Sequence, residues 1–309
     1  MLRLFNILFC TFFLFSLGFS QKQEAFSLDG KALYQILDPT PVKQKKDSLL
    51  QIAQTNYQKE PNQLDNIIWL GRRLAYLTRY NEAIQTFTQA IEQFPEAPEA
   101  YRHRGHRYIT TRELQKAIDD LEKAAALAAK RDIEVEPDGI PNKLNIPLSN
   151  LHFNIYYHLG LAYYLKGDFQ RAASNYEICA NYSINPDLLI ATVDWLYMTY
   201  QRLGEKEKAE QILTVIQKDM EIIENDSYYK RLLMYKGILQ AEELLDLSND
   251  DIDAQLDIVT QGYGVANWYF YNGQIEKAKF IFERILATNY WPAFGYIAAE
   301  ADYKRLKGK

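Results

Sequence analysis

The chain is poor in the residue types that build metal centres and disulfide bonds. Its 309 residues include two cysteines and four histidines. Cys10 lies within an apolar stretch at the N-terminus, so Cys179 is the single cysteine of the remaining sequence and no disulfide can form within it. His103 and His106 lie three residues apart, but a stable zinc site needs three or four ligands, and no cysteine or carboxylate stands at ligand spacing to them. We therefore predict no metal and no cofactor.

Sequence motifs of catalysis are missing as well. The sequence has no Gly-x-Ser-x-Gly element and no glycine-rich loop of the kind that binds phosphates. Gly262 and Gly264 are too isolated to form a nucleotide-binding fingerprint. There is no excess of positive charge either: 35 lysines and arginines face 40 aspartates and glutamates, which gives a net charge of −5. These features predict a protein that is not an enzyme and that does not bind nucleic acid.

A long apolar run stands at the N-terminus. A positive charge at Arg3 precedes an almost uninterrupted apolar stretch from Leu4 to Phe19. This layout is typical of a secretory signal peptide, and we predict that residues 1–20 are removed by cleavage near Ser20/Gln21. The alternative is an uncleaved membrane anchor, but the run is short for a span and no basic cluster follows it. We expect an exported protein of the periplasm or cell envelope, with no stable membrane span after cleavage.

What the remaining sequence does contain is a repeated pattern that starts at Leu64. At a spacing of 34 residues, glycine and alanine recur in the pairs Gly71/Gly105, Ala83/Ala117 and Ala90/Ala124. Within each copy the apolar residues follow a helical period, so a copy comprises two helices. Glycine in the first helix and alanines in the second let the two helices approach closely. One such hairpin leaves apolar faces uncovered, so neighbouring copies must stack.

These positions resemble the tetratricopeptide repeat (TPR) family. The first copy has Gly71 in its first helix, Ala83 and Ala90 around the bulky Phe87 in its second, and Pro95 where family members end that helix. The resemblance covers most of the chain. It implies an all-α fold, a right-handed α-solenoid of stacked helix-turn-helix repeats. The fourth copy departs from the pattern, because Tyr197 stands where the glycine belongs.

The predicted organisation follows from where the pattern is strong and where it breaks. Residues 132–150 contain three prolines and an Asp138-Gly139 turn without helical periodicity, which indicates a loop insertion that is either a lid or a plain surface loop. In chain order we predict a signal peptide (1–20), an N-terminal helical cap (21–63), TPR repeats 1 and 2 (64–131), the loop insertion (132–150), TPR repeats 3 and 4 (151–217), an irregular helical segment (218–250), and a fifth TPR-like repeat with a C-terminal capping helix (251–309).

The resemblance also implies a binding surface, because the first helices of successive TPR repeats line a concave groove. Carried over to this sequence, the groove contains arginines and tyrosines, which suit an acidic peptide or an anionic sugar chain. The alternative for each residue is that it satisfies neighbouring groups in the interior. The predicted groove residues are Arg72, Tyr76, Arg102, His106, Tyr157, Tyr164, Asp194, Arg202, Tyr263, Asn267 and Tyr271.

Two functions fit this surface. The first is a non-enzymatic scaffold of the cell envelope that binds a protein or peptide partner in the groove. The second is an accessory protein that binds or handles an acidic polysaccharide. Some members of the family bind a C-terminal carboxylate through a lysine and an asparagine, but Ile68 and Arg72 occupy the first pair of those places here, so the sequence does not support that chaperone-binding function.

Overall fold

The computed structural model describes residues 21–245 and 258–308. The predicted signal peptide, residues 1–20, lies outside the described residues, as does the segment 246–257, where the irregular segment meets the fifth repeat. The described chain is mainly helical, and its helices form successive antiparallel hairpins. The prediction of an all-α solenoid of helical hairpins is confirmed. Among the described residues, none of the helices is both long enough and apolar enough to span a bilayer.

The described residues start with a β-hairpin rather than a helix. Strand β1 (Gln23–Phe26) pairs antiparallel with β2 (Ala32–Tyr34), and Gly30 takes a positive φ of 83° in the connecting turn. Helix α1 (Thr40–Lys59) follows. The prediction of a helical cap over residues 21–63 is therefore wrong for its first part. Strands of three and four residues show too little alternation to be recognised, and this hairpin is held by distant groups: the Asn81 N–H donates to the Glu24 carboxylate at 2.9 Å.

Five helical hairpins follow the pattern of the repeats. They are α2 (Leu64–Tyr76) with α3 (Tyr80–Gln93), α4 (Pro98–Thr110) with α5 (Leu114–Ala128), α6 (Leu151–Lys166) with α7 (Phe169–Ala180), α8 (Pro186–Leu203) with α9 (Lys206–Ile212), and α12 (Gly262–Tyr271) with α13 (Ile275–Leu286). Between the last two hairpins lie the short helices α10 (Asp226–Tyr235) and α11 (Ala241–Leu244).

Glycine sets the distance between the helices of the first three hairpins. A Cβ atom on Gly71 would lie 2.4 Å from the ring of Phe87, and one on Gly160 would lie 2.8 Å from the ring of Tyr176. The side chains of the second helix thus fill the space that a first-helix side chain would need. Gly105 is enclosed by Leu121 in the same way. The glycine position that the sequence repeats is therefore a packing requirement.

The fourth hairpin departs from this geometry at Tyr197. Its ring is buried and stacks on Tyr235 of α10, with the centroids 4.3 Å apart. Helix α9 has only seven residues, and α10 packs against α8. The loop before α10 is held by Asp187, whose carboxylate accepts hydrogen bonds from the backbone N–H groups of Ile223, Glu224 and Asn225. Where a bulky residue stands at the glycine position, the second helix of the hairpin is short, and α10 packs against α8 as well.

The C-terminal helix α14 (Phe294–Lys307) folds back onto earlier repeats. It contacts α6 as well as α12 and α13, and the side chains of Ile297, Ala298 and Ala299 are fully buried. Glu300 of this helix accepts a hydrogen bond from the Leu28 N–H of the first β-hairpin and forms an ion pair with Arg112. The predicted capping helix therefore contacts the β-hairpin as well as the repeats.

The close glycine contact gives the first prediction. Replacing Gly160 by valine should lower the free energy of unfolding by about 2 kcal/mol, because the added side chain must displace the Tyr176 ring in a packed interior. Urea denaturation followed by circular dichroism would measure the change. Gly308→Val is the control, since a Cβ there comes no closer than 3.7 Å to a neighbour and its effect should stay within about 0.5 kcal/mol. Equal stability of the two variants would contradict this packing role.

Candidate functional site

A cavity of about 330 Å³ opens on the side of the solenoid that is formed by the first helices. Helices α2, α4 and α6 supply most of its wall, and Tyr228 of α10 and Phe294 of α14 complete it. We call this cavity the arginine pocket. Its lining combines three arginines, three histidines and several aromatic rings: Arg72, Ala75, Tyr76, Phe87, Arg102, His103, His106, Arg107, Ser149, Phe153, Asn154, Tyr157, His158, Leu188, Ala191, Glu224, Asn225, Tyr228 and Phe294.

Five of the predicted groove residues meet in the arginine pocket. They are Arg72, Tyr76, Arg102, His106 and Tyr157. The sequence reasoning missed Arg107, His103 and His158 as lining residues, because it carried over only selected positions of each first helix. A signal existed for Arg107, which lies four residues after His103 and one after His106, at the edge of the same helical face.

The other predicted groove residues belong to the interior instead. The side chains of Tyr164, Tyr263 and Asn267 are fully buried and joined to one another: the hydroxyl oxygens of Tyr263 and Tyr164 lie 2.7 Å apart, and the Asn267 amide donates to the Tyr164 oxygen at 2.9 Å. Arg202 forms a two-pronged ion pair with Asp302 of α14 at 2.8 and 3.0 Å. The prediction of an open groove is therefore wrong here, because α14 covers these residues and bonds to them.

Asp194 and Tyr271 are also removed from the arginine pocket. Asp194 is fully buried and pairs with Arg231 of α10, which is fully buried too. Burial raises the pKa of Asp194, and the charge of Arg231 opposes that rise. Tyr271 packs edge-on against Tyr197, with centroids 6.2 Å apart. These contacts hold α10 and α12 onto α8. They thereby fix the position of α10, which supplies Tyr228 to the pocket.

The insertion loop, residues 132–150, is bonded to the helices of the arginine pocket and supplies Ser149 to its lining. Its Glu136 carboxylate pairs with Arg102 at 2.7 Å and also accepts a hydrogen bond from the Asn154 amide. The Pro137 carbonyl accepts from Arg72 at 2.8 Å, and the Gly139 carbonyl accepts from Arg73 at 2.8 Å. The loop is thus attached to the first helices of three repeats.

The three arginines of the pocket differ in the groups that their guanidinium contacts. Arg102 forms an ion pair with Glu136. Its Nη1 atom also lies 2.7 Å from Nδ1 of the His103 ring. Arg72 donates to the loop backbone and stacks on Trp69, with its guanidinium carbon 4.3 Å from the ring centre. Arg107 contacts the Tyr80 ring at 5.5 Å, and the described residues supply its guanidinium with no hydrogen bond and no ion pair.

The histidines of the pocket are neutral at pH 7. Burial lowers the pKa of His103 and of His106 well below the usual value, and the positive charges of Arg102 and Arg107 respectively lower it further. The rings of His106 and His158 lie 4.1 Å apart, and both contact Phe294. Among residues 21–245 and 258–308, no three histidine, cysteine, aspartate or glutamate side chains are grouped so that they could hold a metal ion.

Cys179 is not available for chemistry. The side chain is fully buried in α7, with its sulfur 3.4 Å from the Thr192 hydroxyl. Burial raises the pKa of this thiol to about 12, so the reactive thiolate is not formed near neutral pH.

Comparison with known proteins gives matches in two segments of the chain. Residues 70–132 and residues 153–182 match family models described as tetratricopeptide repeat. A segment of 61 residues is 41% identical to tetratricopeptide repeat protein 36 of Caenorhabditis elegans, which is 20% of this chain and 34% of that protein. The match thus spans about a third of the relative's length. The matched segments include Arg72, Arg102, Arg107 and His158 of the arginine pocket.

Solved structures align with larger parts of the chain. A tetratricopeptide repeat protein from Parabacteroides merdae is 13% identical and aligns with a TM-score of 0.48, covering 84% of this chain and 93% of its own. MamA is 20% identical with a TM-score of 0.42, covering 68% and 92%. YrrB, described as a TPR protein with an unusual peptide-binding site, is 14% identical with a TM-score of 0.41, covering 76% and 90%.

The neutral histidines give a prediction about acid stability. Burial, with the charge of Arg102, lowers the pKa of His158 to about 3, whereas the unfolded chain protonates near 6.5. The stabilising effect of a neutral His158 is therefore present above pH 6.5 and is lost as the pH falls from 6.5 towards 3. His158→Phe should flatten the pH dependence of the free energy of unfolding by up to about 1.4 kcal/mol per pH unit in that range.

Urea denaturation at about pH 7 and about pH 5 would measure this difference. Tyr157→Phe is a suitable control, because it changes a neighbouring ring of the pocket without removing a group that titrates in this range. It should keep the slope of the unsubstituted protein. If His158→Phe also kept that slope, the buried neutral state of His158 would be wrong.

Proposed function

We propose that the tetratricopeptide repeats of this chain form a non-enzymatic binding scaffold whose arginine pocket receives a segment of a protein partner. The chain contains tetratricopeptide repeats, and repeats of this kind are the basis of scaffolds for protein–protein interaction. The observation that carries the proposal is the position of the pocket: three consecutive repeats supply its first-helix side chains, and Arg107 among them is not neutralised by a described neighbour.

The groups in the pocket favour binding over catalysis. The Tyr157 hydroxyl bonds to the Tyr228 hydroxyl at 3.3 Å, and the Ser149 hydroxyl accepts from Asn154 at 3.1 Å. Neither hydroxyl is bonded to a histidine, which a nucleophile of a hydrolase would need as its base. The Nδ1–H of His158 donates to the Asn154 carbonyl within its own helix. A pocket lined by aromatic rings and a few fixed hydrogen-bond donors suits the binding of a ligand of matching shape and charge.

Photo-crosslinking gives a direct test of the binding surface. A benzophenone amino acid in place of Tyr228, at the pocket, should capture a partner protein in cells, because that side chain is half-buried in the pocket wall. The same amino acid in place of Ile178, which is exposed on the second helix α7, is the matched control and should not capture it. Equal capture at both positions, or capture at position 178 alone, would rule out the arginine pocket as the docking surface.

We further propose that the scaffold acts in the periplasm or cell envelope. Support comes from the N-terminal sequence alone: Arg3 followed by the apolar run from Leu4 to Phe19, with small and polar residues near Ser20.

Export makes a prediction about the N-terminus of the purified protein. Intact mass and N-terminal sequencing should show a chain that begins at or within a few residues of Gln21, recovered from the envelope or periplasmic fraction. Replacing Leu8 by arginine would place a charge inside the apolar run and should leave the uncleaved precursor in the cytoplasm. An unsubstituted chain that retained Met1 in the cytoplasmic fraction would refute export.

A further inference from the structure

We propose that a second cavity, between α1 and the insertion loop, binds the alkyl chain of a single-chain amphiphile whose head group is an anionic phosphate ester. The cavity has a volume of about 270 Å³. We call it the α1 pocket. It shares only Tyr76 with the arginine pocket, and its lining consists of Val42, Lys45, Lys46, Leu49, Arg73, Tyr76, Gly139, Ile140 and Pro141. Most of these residues lie outside the repeats, so the inference goes beyond the proposed function.

One face of helix α1 forms the first wall of the α1 pocket. Its lining residues are spaced three or four apart, which places their side chains on the same face of the helix: Val42, Lys45, Lys46 and Leu49. The side chain of Val42 is 46% exposed, and that of Leu49 is half-buried. This face thus presents two aliphatic side chains that are two helical turns apart, with two lysines between them.

The insertion loop forms a second wall, and close contacts with α2 fix its position. Arg73 donates to the Gly139 carbonyl at 2.8 Å. Gly139 is buried, and a Cβ atom on it would lie 1.6 Å from the Tyr76 hydroxyl oxygen. Glycine therefore lets the loop backbone approach α2. The next two residues, Ile140 and Pro141, line the pocket, and Ile140 is 67% exposed. A hydrocarbon chain in the pocket would remove this side chain from water.

The lining of the α1 pocket suits a hydrocarbon chain. Valine, leucine, isoleucine and proline side chains supply apolar surface together with the Tyr76 ring, and the described residues place no carboxylate in the lining. Burial of such surface against an alkyl chain is favourable in proportion to the area that is removed from water. The volume lies just below the usual range for ligand cavities, about 300–1,000 Å³, so the pocket has room for one chain but not for a two-chain lipid.

Cations outnumber carboxylates at the α1 pocket. Lys46 pairs with Asp38 at 2.7 Å. The exposed Lys45 has no ion-pair partner among the described residues, and Arg73 pairs with no described carboxylate. Asp138, the loop carboxyl closest in sequence to the lining, interacts with an arginine outside the lining. A net positive charge therefore remains beside the apolar surface, and it favours an anionic head group over a zwitterionic one.

The expected ligand is a free amphiphile rather than the surface of a bilayer. A cavity of this size encloses one chain that has left its neighbours, whereas a bilayer presents many chains beneath a layer of head groups. The lysine and arginine groups of the lining are donors that suit phosphate oxygens. A lysophospholipid with a net negative charge combines the single chain with this head group.

The test uses lysophosphatidylglycerol as the probe and lysophosphatidylcholine, which has the same chain and a zwitterionic head group, as its counterpart. Both are titrated calorimetrically into the purified protein below the concentration at which they form micelles. We expect the anionic lipid to bind about threefold more tightly, as an exposed charge pair would allow. Its affinity should rise about fourfold with each methylene group between octanoyl and decanoyl chains, because each methylene buries more apolar surface.

Substitutions connect the binding to the α1 pocket. Ile140→Asp should lower the affinity for the anionic lipid at least about tenfold, because it replaces apolar wall by a carboxylate. Ile146→Asp is the matched control, since it makes the same change in the same loop at a 48% exposed residue outside the lining, and its affinity should stay within about twofold. Lys45→Gln, on the exposed face of α1, should remove the preference for the anionic head group and retain the dependence on chain length.

Four results would overturn the proposal. They are no saturable binding of the anionic lipid below micelle formation, an affinity that does not change with chain length, equal affinities of Ile140→Asp and Ile146→Asp, and equal binding of the two head groups by the unsubstituted protein. Melting curves of the three variants show whether a loss of binding reflects unfolding, and Lys45→Gln provides the test if Ile140→Asp is unstable.

Sedimentation with phosphatidylglycerol vesicles separates the free amphiphile from a membrane surface. Binding of the monomeric lysolipid that requires Ile140 supports the proposal. Sedimentation of the protein with vesicles that requires Ile140, without binding of the monomeric lysolipid, would overturn it in favour of a membrane-docking face.

Discussion

The ion pair between Arg202 and Asp302 is the contact on which the closed form of this solenoid depends. Both side chains are nearly buried, with the guanidinium and carboxylate in a two-pronged arrangement. The attraction within a buried ion pair offsets the free energy lost on removing both charges from water only when the remaining donors and acceptors of the pair are also satisfied. Here Asp302 also accepts from the Tyr263 hydroxyl at 2.9 Å, and Arg202 also donates to Asn267 at 3.0 Å. The network thus joins α8, α12 and α14, and it fixes where the C-terminal helix crosses the repeats.

The position of α14 adds one wall to the arginine pocket. With this helix in place, Phe294 packs against His106 and His158, and Glu300 bonds to both Arg112 and the first β-hairpin. The Trp291 indole N–H adds a contact with the Tyr34 carbonyl at 2.9 Å. Helix α14 and the preceding Trp291 are therefore bonded to the β-hairpin. A partner that bound along the full set of first helices would have to break these buried contacts, whereas one that uses the arginine pocket would not.

Local sequence predicts the repeats well because their geometry is set by neighbours within one hairpin. Gly71 against Phe87 and Gly160 against Tyr176 are contacts at a fixed short spacing, so the recurrence of these residues is visible in the sequence. The partners of Arg202 could not be recognised in the same way, since Asp302 is one hundred residues away and belongs to no repeat. The β-hairpin was missed for a related reason, because its strands are short and its bonds run to distant groups such as Asn81. Repeat geometry thus brought five of the eleven predicted residues to one pocket, whereas the other six lie outside that pocket.

The three arginines of helix α4 differ in the partners of their guanidinium groups. Arg104 forms a two-pronged pair with Asp120 inside its own hairpin, at 2.7 and 2.8 Å. Arg102 reaches out of the hairpin to Glu136 and so fixes the insertion loop. Arg107 has neither kind of carboxylate partner among the described residues, although it lies among aromatic and positively charged groups. Arg107 is only partly buried, so its guanidinium keeps access to the water of the pocket. Of the three arginines of this helix, Arg104 and Arg102 thus stabilise the fold, whereas Arg107 faces the pocket.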